Sequence, residues 1–356
     1  MTRQSRAIMH ERPVSKRPGV YLIIYLTIVD TEGSTPMSSP ESPQPPVVGI
    51  GACLVGQPVR YNGSHKRASD ILAAMERVME LRPFCPELAI GLGVPREPIR
   101  IVAATDGQRA MDSATQQQDY TEPLQVYADQ VGAQSLSGYI FVKGSPSCGY
   151  QRVKLYDSRG NNLRSEGVGV FARRLMRNNP LLPVEEEGRL NDVPLRERFI
   201  RRVYAYHDWQ RYCGEAPLSH HRLIEFYSRY KYLVMAHHPE TYKRIGRLLA
   251  QPERNVQRQA NKLIALLMYA LSHPARRGAY ANALSHLKGY LKRDINAAER
   301  QLLDGVIEDY RRGKVPLVVP VRMLEHYFAL YPNDYVGRQA FFYPYPDELG
   351  VRNHMV

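Results

Sequence analysis

The sequence predicts an α/β fold: a doubly wound, mostly parallel open sheet (Rossmann-like), followed by a separate all-α helical bundle. Three observations carry this. Up to Glu215, short apolar runs rich in Val and Ile alternate with stretches of helical spacing, the pattern of strands joined by crossover helices. Past Gly214-Glu215-Ala216-Pro217 the apolar residues recur at helical spacing alone, which a small bundle satisfies. Strand-like runs in the first part end in Gly, Pro and Ser turns that contain cysteine, and open α/β sheets place their sites outside the carboxyl ends of strands.

Composition narrows the class. A chain of 356 residues favours about two domains with real cores, and 44% hydrophobic with 23% charged residues is a soluble globular balance. Four cysteines are too few for a disulfide scaffold and point to a reducing, cytoplasmic setting. The net charge of +13 points to an anionic partner, nucleic acid first, or to a solvated basic surface. Residues 216–356 hold 21 Lys+Arg against 12 Asp+Glu, nine of the thirteen net charges.

Taken in order, residues 1–46 read as a leader that does not fold, with translation starting at Met37 before a Pro- and Ser-rich run. Within it, the apolar run Val20 to Val29 is an aggregation risk, at Tyr21 to Val29, if made. It is too short to span a membrane and lacks the cleavage site of a signal peptide. Val47 to Gly51 is a buried strand that breaks at Cys53. Its glycines nearly match a dinucleotide fingerprint, but Leu54 stands at the third glycine, which discounts nucleotide binding there. Asn62-Gly63 is a turn and Ser64 a helix cap. Ala68 to Leu81 shows helical spacing, and Leu81 to Pro86 is extended. Ile99 to Ala103 is a strand, Gln116 to Gln134 contains a helix, and Gly138 to Lys143 is a strand that delivers Ser145 and Cys148. Gly169 to Arg177 is a helix, Val184 to Leu190 a polar surface element, and Leu195 to Gln210 a helix.

In the second half the stripes Leu223 to Val234, Leu263 to Leu271, Leu284 to Leu291 and Leu302 to Ile307 mark helices. Pro316 and Pro320 forbid a central strand over Val315 to Val321, so that run leads into a last helix at Arg322 to Tyr331. The expected division is 47–215 for the α/β domain, 216–335 for the helical domain and 336–356 for an extended Tyr-rich tail.

The motifs with chemical content are Gly51-Ala52-Cys53-Leu54-Val55-Gly56, Phe84-Cys85-Pro86-Glu87 and Gly144-Ser145-Pro146-Ser147-Cys148-Gly149. Cysteines used as small hydrophobes lie within apolar runs. These sit at turns, so either they converge on one iron–sulfur site or they are buried or pairing thiols. Cys213 reads as an inert buried thiol. The adjacent pairs His220-His221 and His237-His238 have the wrong spacing for one metal on one helix face and read as core or capping residues.

With Arg60-Tyr61-Asn62-Gly63 after the first motif and Glu87 beside the second, these motifs resemble the thiouracil desulfurase (TudS-like) family. Leu182-Pro183-Val184-Glu185-Glu186-Glu187-Gly188-Arg189-Leu190-Asn191-Asp192 resembles it too. From Leu218 to Tyr345, through Tyr230 to His237 and Gly289 to Lys292, the chain is similar to the YbgA-type C-terminal domain, whose activity is unknown. The resemblance implies a [4Fe-4S] cluster held by Cys53, Cys85 and Cys148 with the fourth iron open. It also implies catalytic help from Glu87 and a serine, Ser145 in preference to Ser147. Many relatives carry Asp where this chain has Asn62.

An open iron is a soft Lewis acid suited to a thiocarbonyl sulfur. The expected activity is therefore a non-redox desulfidase, a C=S hydrolase acting on a 2-thiouracil-like base, nucleoside or RNA residue. Glu87 and Ser145 are its catalytic residues; Arg60, Asn62, Lys66, Arg96 and Ser147 are its substrate-binding candidates, the cations among them otherwise being ordinary surface charges. The basic second half would then recruit RNA or tRNA, or build an oligomer. Two alternatives stand beside this: a nucleic-acid-binding protein with a structural metal, such as Cys₃His zinc through His65, and an iron–sulfur enzyme that inserts sulfur.

Overall fold

The computed structural model describes residues 44–67, 70–105 and 107–346, without the side chains of 164 and 165. The predicted leader up to residue 43, the proposed start at Met37 and the end of the tail lie outside the described residues.

The first sheet is built from β1 (Val47–Gly51), β2 (Glu80–Phe84), β5 (Gly138–Phe141) and β8 (Val184–Glu186). Its order is β2-β1-β5-β8, with every pairing parallel. The chain moves from β1 to one side for β2 and later to the other side for β5. A topological switch point therefore lies between β1 and β5, the place where such sheets form a crevice. β1 and β5 are central and apolar along their length; Val48, Ile50, Tyr139, Ile140 and Phe141 are fully buried. β2 tolerates Pro83 because it is an edge strand, where one side of the backbone needs no ladder bond. Gly49 is required opposite Tyr139, since a Cβ there would lie 2.4 Å from the tyrosine ring.

The run at Ile99 leaves that sheet and joins a second one. β3 (Ile99–Ala104), β4 (Gly107–Asp112), β6 (Val153–Tyr156) and β7 (Asn162–Gly167) pair in the order β4-β3-β6-β7, with both hairpin contacts antiparallel and β3–β6 parallel. The sequence reading predicts none of β4, β6 and β7. The outer pair is polar because edge strands carry little buried surface, and β6 has four residues, too few for a clear alternation.

Helices α1 (Asp70–Glu76), α3 (Thr121–Gly132) and α4 (Val170–Asn178) accompany the sheets, and α2 (Pro86–Ala89) is a single turn behind Cys85. The long α5 (Val193–Glu215) starts with Asp192 as its cap, accepting from Leu195 N at 2.9 Å. The remaining helices are α6 (His220–His237), α7 (Pro239–Leu249), α8 (Val256–Leu271), α9 (Arg277–Lys288), α10 (Ala297–Arg311), α11 (Val318–Leu330) and the short α12 (Asp334–Gly337). The four predicted stripes and the last helix are present. α7 is an addition, and α11 starts before its predicted Arg322, with Pro320 in its first turn, where no N–H is needed. No helix among the described residues is long and apolar enough to cross a membrane.

Both halves use α5. Phe199, Ile200 and Val203 belong to the core around the parallel sheet, whereas Ala205, Trp209 and Tyr212 belong to a helical core with Phe226, Leu263 and Leu267. The tail is docked, not merely extended: Phe341, Phe342 and Tyr345 are buried, and Tyr345 OH donates to Glu197 at 3.1 Å. Glu197 in turn pairs with the buried Arg201 at 2.6 Å.

Candidate metal centre

Cys53, Cys85 and Cys148 follow the carboxyl ends of β1, β2 and β5, three neighbouring strands of one parallel sheet. With strands about 4.8 Å apart, three ends span roughly 10 Å. All three residues line one cavity of about 370 Å³, together with Arg60, Lys66, Glu87, Arg96, Ser145 and Ser147. Local backbone bonds fix each loop. Cys53 sits in the helical turn Ala52–Val55, and its carbonyl accepts from Lys66 N at 2.9 Å, folding the loop back. Cys85 caps α2, whose Pro86 is at the first helical position. The Cys148 loop closes with Gly149 N on Ser145 O at 2.8 Å, and Gly169 N on Gly149 O at 2.7 Å ties it to the start of α4.

A polar chain links the loops. Arg96 Nε donates to Glu87 Oε2 at 2.7 Å, and the same guanidinium reaches the carbonyls of Val59 at 2.9 Å and Gly93 at 3.1 Å. Ser147 Oγ donates to Glu87 Oε1 at 2.6 Å, and Ser145 Oγ lies 3.0 Å from Ser147 Oγ. Ser145 Oγ also accepts from Cys148 N at 3.2 Å and from Cys148 Sγ at 3.3 Å. The serine that touches Glu87 is thus Ser147, and Ser145 reaches the carboxylate only through it.

Of the other sequence candidates, Arg60 and Lys66 line the cavity and Asn62 does not. Asn62 Oδ1 is engaged within its own turn, accepting from Ser64 Oγ at 2.6 Å. Arg96 is committed to the carboxylate and two carbonyls, the work of a clamp and not of a free anion receptor. Lys66 is fixed by Glu187, which the sequence reading placed on a polar surface. In fact Glu185, Glu186 and Glu187 are all buried. Glu187 Oε1 pairs with Lys66 and its Oε2 accepts from Lys143 N at 2.8 Å. The sequence signal for this was there: three carboxylates in a row directly after a strand-like residue, needing cations and N–H groups to be buried.

The thiols are shaped by burial. It pushes Cys53 and Cys85 above the ordinary cysteine range, and it pushes Cys148 up to about 12 against the opposing hydrogen bond of Ser145. Without a metal the three are neutral thiols at pH 7; a metal binds by displacing their protons. Among the described residues no three His, Cys, Asp or Glu side chains converge tightly enough for a single ion. His65, the fourth ligand of the zinc alternative, is exposed, does not line the cavity and accepts from Arg67 N at 3.2 Å. Three soft donors around a shared cavity that Arg60 also lines fit an anionic inorganic cluster larger than one ion.

A second cavity of about 390 Å³ adjoins the first, sharing Pro98, Ile99, Gly144 and Pro146, and adds Arg100, Arg152, Lys154 and Tyr156. Cys213 lines neither.

Residues 48–187 match the family model described as 2-thiouracil desulfurase, and residues 231–346 match a protein of unknown function, DUF1722. The chain is 33% identical over 154 residues to the uncharacterized protein YbgA of Escherichia coli (strain K12), covering 43% of this chain and 90% of that protein. It is 30% identical over 156 residues to the uncharacterized protein YbbK of Bacillus subtilis (strain 168), covering 40% of this chain and 97% of that protein. Among solved structures it is similar to the [4Fe-4S]-dependent thiouracil desulfidase TudS, at 28% identity and a TM-score of 0.33, over 42% of this chain and 95% of that one. Through its first half the chain belongs to the 2-thiouracil desulfurase family, and it carries a YbgA-type domain as its second half.

Proposed function

We propose that the protein is an iron–sulfur-dependent, non-redox desulfidase that removes sulfur from a thiolated pyrimidine. The observation that carries this is the convergence of three thiols and one carboxylate, Glu87, on a single cavity at three adjacent strand ends. Cys53, Cys85 and Cys148 would hold a [4Fe-4S] cluster, which when bound supplies a soft iron with one open position for the substrate's sulfur. Glu87, held at one oxygen by Arg96 and at the other by Ser147, takes a proton from an attacking water or protonates the ring nitrogen. Ser147 orients that carboxylate, and Ser145 extends the proton path towards Cys148. The balance is C=S plus water to C=O plus hydrogen sulfide, a hydrolysis with no net electron transfer.

The substrate class in this reading is a 2-thiouracil-like base, nucleoside or RNA residue. The adjoining cavity, with Arg100, Arg152 and Lys154, supports a substrate that bears phosphate, and Arg60 lines the first cavity beside it. Residues 47–215 form the desulfidase domain in this reading, 216–335 the helical domain and 336–356 its tail. The basic charge of the helical half supports recruitment of RNA or tRNA by it, or oligomerisation, in the cytoplasm.

The test is anaerobic reconstitution with iron and sulfide. The protein is expected to turn brown and to release sulfide from 2-thiouracil, with Cys148→Ser losing both properties. A colourless, inactive protein containing zinc overturns the reading, and sulfur incorporation from added sulfide favours the insertion enzyme.

A further inference from the structure

The turn Arg60-Tyr61-Asn62-Gly63 divides its labour. Asn62 and Gly63 build it. Gly63 adopts a φ of +75°, in the left-handed region that glycine enters freely, and its N–H donates to Arg60 O at 2.9 Å. Asn62 Oδ1 accepts from Ser64 N at 3.2 Å and from Ser64 Oγ at 2.6 Å, and Arg60 N donates to Ser64 O at 3.1 Å. Arg60 and Tyr61 are left to line the thiol cavity. Tyr61 does so while 42% exposed, a large flat side chain that the core does not use.

Arg96 ties this residue to the acid–base group. Its backbone N–H donates to Tyr61 O at 2.8 Å, while its guanidinium holds Glu87 Oε2 at 2.7 Å and Val59 O at 2.9 Å. Tyr61 and Glu87 are therefore registered on one and the same residue. Phe84 is the other aromatic side chain at the cavity, and it is already buried and stacked on Tyr139, with centroids 6.1 Å and planes 24° apart. Among the described residues no aromatic ring packs on Tyr61; the Arg60 guanidinium lies over it, 5.9 Å from the centroid, on one face only. A pyrimidine thione offers its edge to hydrogen bonds, but its two flat faces are matched only by another flat surface.

We propose that Tyr61 is the platform on which the substrate's ring stacks, and that it makes the cavity selective for flat heteroaromatic thiones over saturated ones. Such stacking holds the ring equally before and during the reaction, so it acts on binding and leaves turnover alone. This inference rests on the desulfidase reading of the cavity and names the residue that recognises the ring.

The probes are uracil and 5,6-dihydrouracil, which share their carbonyls and N–H groups but differ in the planarity of the ring. Their binding to metal-free protein is measured by equilibrium dialysis for wild type, Tyr61→Phe and Tyr61→Leu. Wild type and Tyr61→Phe are expected to prefer uracil about tenfold, and Tyr61→Leu to lose that preference with its melting temperature unchanged. In reconstituted protein, Tyr61→Leu is expected to raise KM for 2-thiouracil about tenfold at unchanged kcat, with KM for 5,6-dihydro-2-thiouracil as in wild type. A Tyr61→Leu protein that keeps the wild-type preference overturns the platform, as does a wild type without any preference; neither result touches the desulfidase reading. A wild type that shows the preference, takes up a cluster and still releases no sulfide supports the platform and overturns that reading.

Discussion

Ser147 donates its hydroxyl to Glu87 across 2.6 Å, joining the loop after β5 to the single turn after β2, sixty residues away in the chain. The two serines of the third cysteine motif therefore do different work. Ser147→Ala is expected to lower kcat about a hundredfold, the scale of a mispositioned acid–base group, with cluster content unchanged. Ser145→Ala frees Cys148 N and is expected to cost about 1 kcal/mol of metal-free stability and to reduce iron loading. Iron content and kcat measured on both variants check this, and the opposite pattern would return the catalytic role to Ser145.

Arg96 binds Glu87 and two carbonyls with a side chain only 6% exposed. Its removal leaves a half-buried carboxylate without its cation. Arg96→Met is expected to destabilise the metal-free protein by about 3 kcal/mol in a urea titration. Arg96→Lys is expected to recover little of it, because one ammonium cannot reach all three acceptors as the planar fork does.

His237 gives the helical half an acid limit. Burial holds its imidazole well below the ordinary range, the Arg201 charge adds to this, and the carbonyl of His273 opposes it. Its ring nitrogens face His273 O at 3.0 Å and Tyr280 OH at 3.1 Å. The unfolded chain takes up the proton at about pH 6.5 while the folded one does not, so stability is lost as pH falls below that value. The expected slope approaches about 1.4 kcal/mol per pH unit. His237→Gln should flatten it in denaturation curves taken between pH 5 and 7.5; an unchanged slope would assign it to other groups.

The two cavities meet at Pro98, Ile99, Gly144 and Pro146. If substrates carry phosphate into the second one, Arg152→Ala combined with Lys154→Ala should raise KM for a thiolated nucleotide about tenfold. KM for the free base should stay as it was. Steady-state sulfide release on both substrates decides this, and parallel losses on the two would exclude a phosphate subsite.

Much of the site was legible because local signals mark it. An apolar run that stops at Gly or Pro beside cysteine names a strand end, and three such ends in one parallel sheet converge. Less legible was everything set by partners distant in sequence. Nothing near Ser147 shows that it, and not Ser145, meets Glu87, and Arg96 reads as a surface cation until the loop after Arg60 folds against it. Glu187 looks solvated because its cation, Lys66, is 121 residues away. The second sheet escaped for a different reason: its edge strands bury too little to impose an apolar rhythm on Gly107–Asp112 or Asn162–Gly167.

Helix α5 contributes Phe199 and Ile200 to one core and Trp209 and Tyr212 to another. A rod embedded at both ends leaves no joint for swinging, so the later helices cannot clamp down on the thiol cavity like a jaw. Under the proposed recruiting role of those helices, anything they hold would have to arrive at the strand ends at a preset angle.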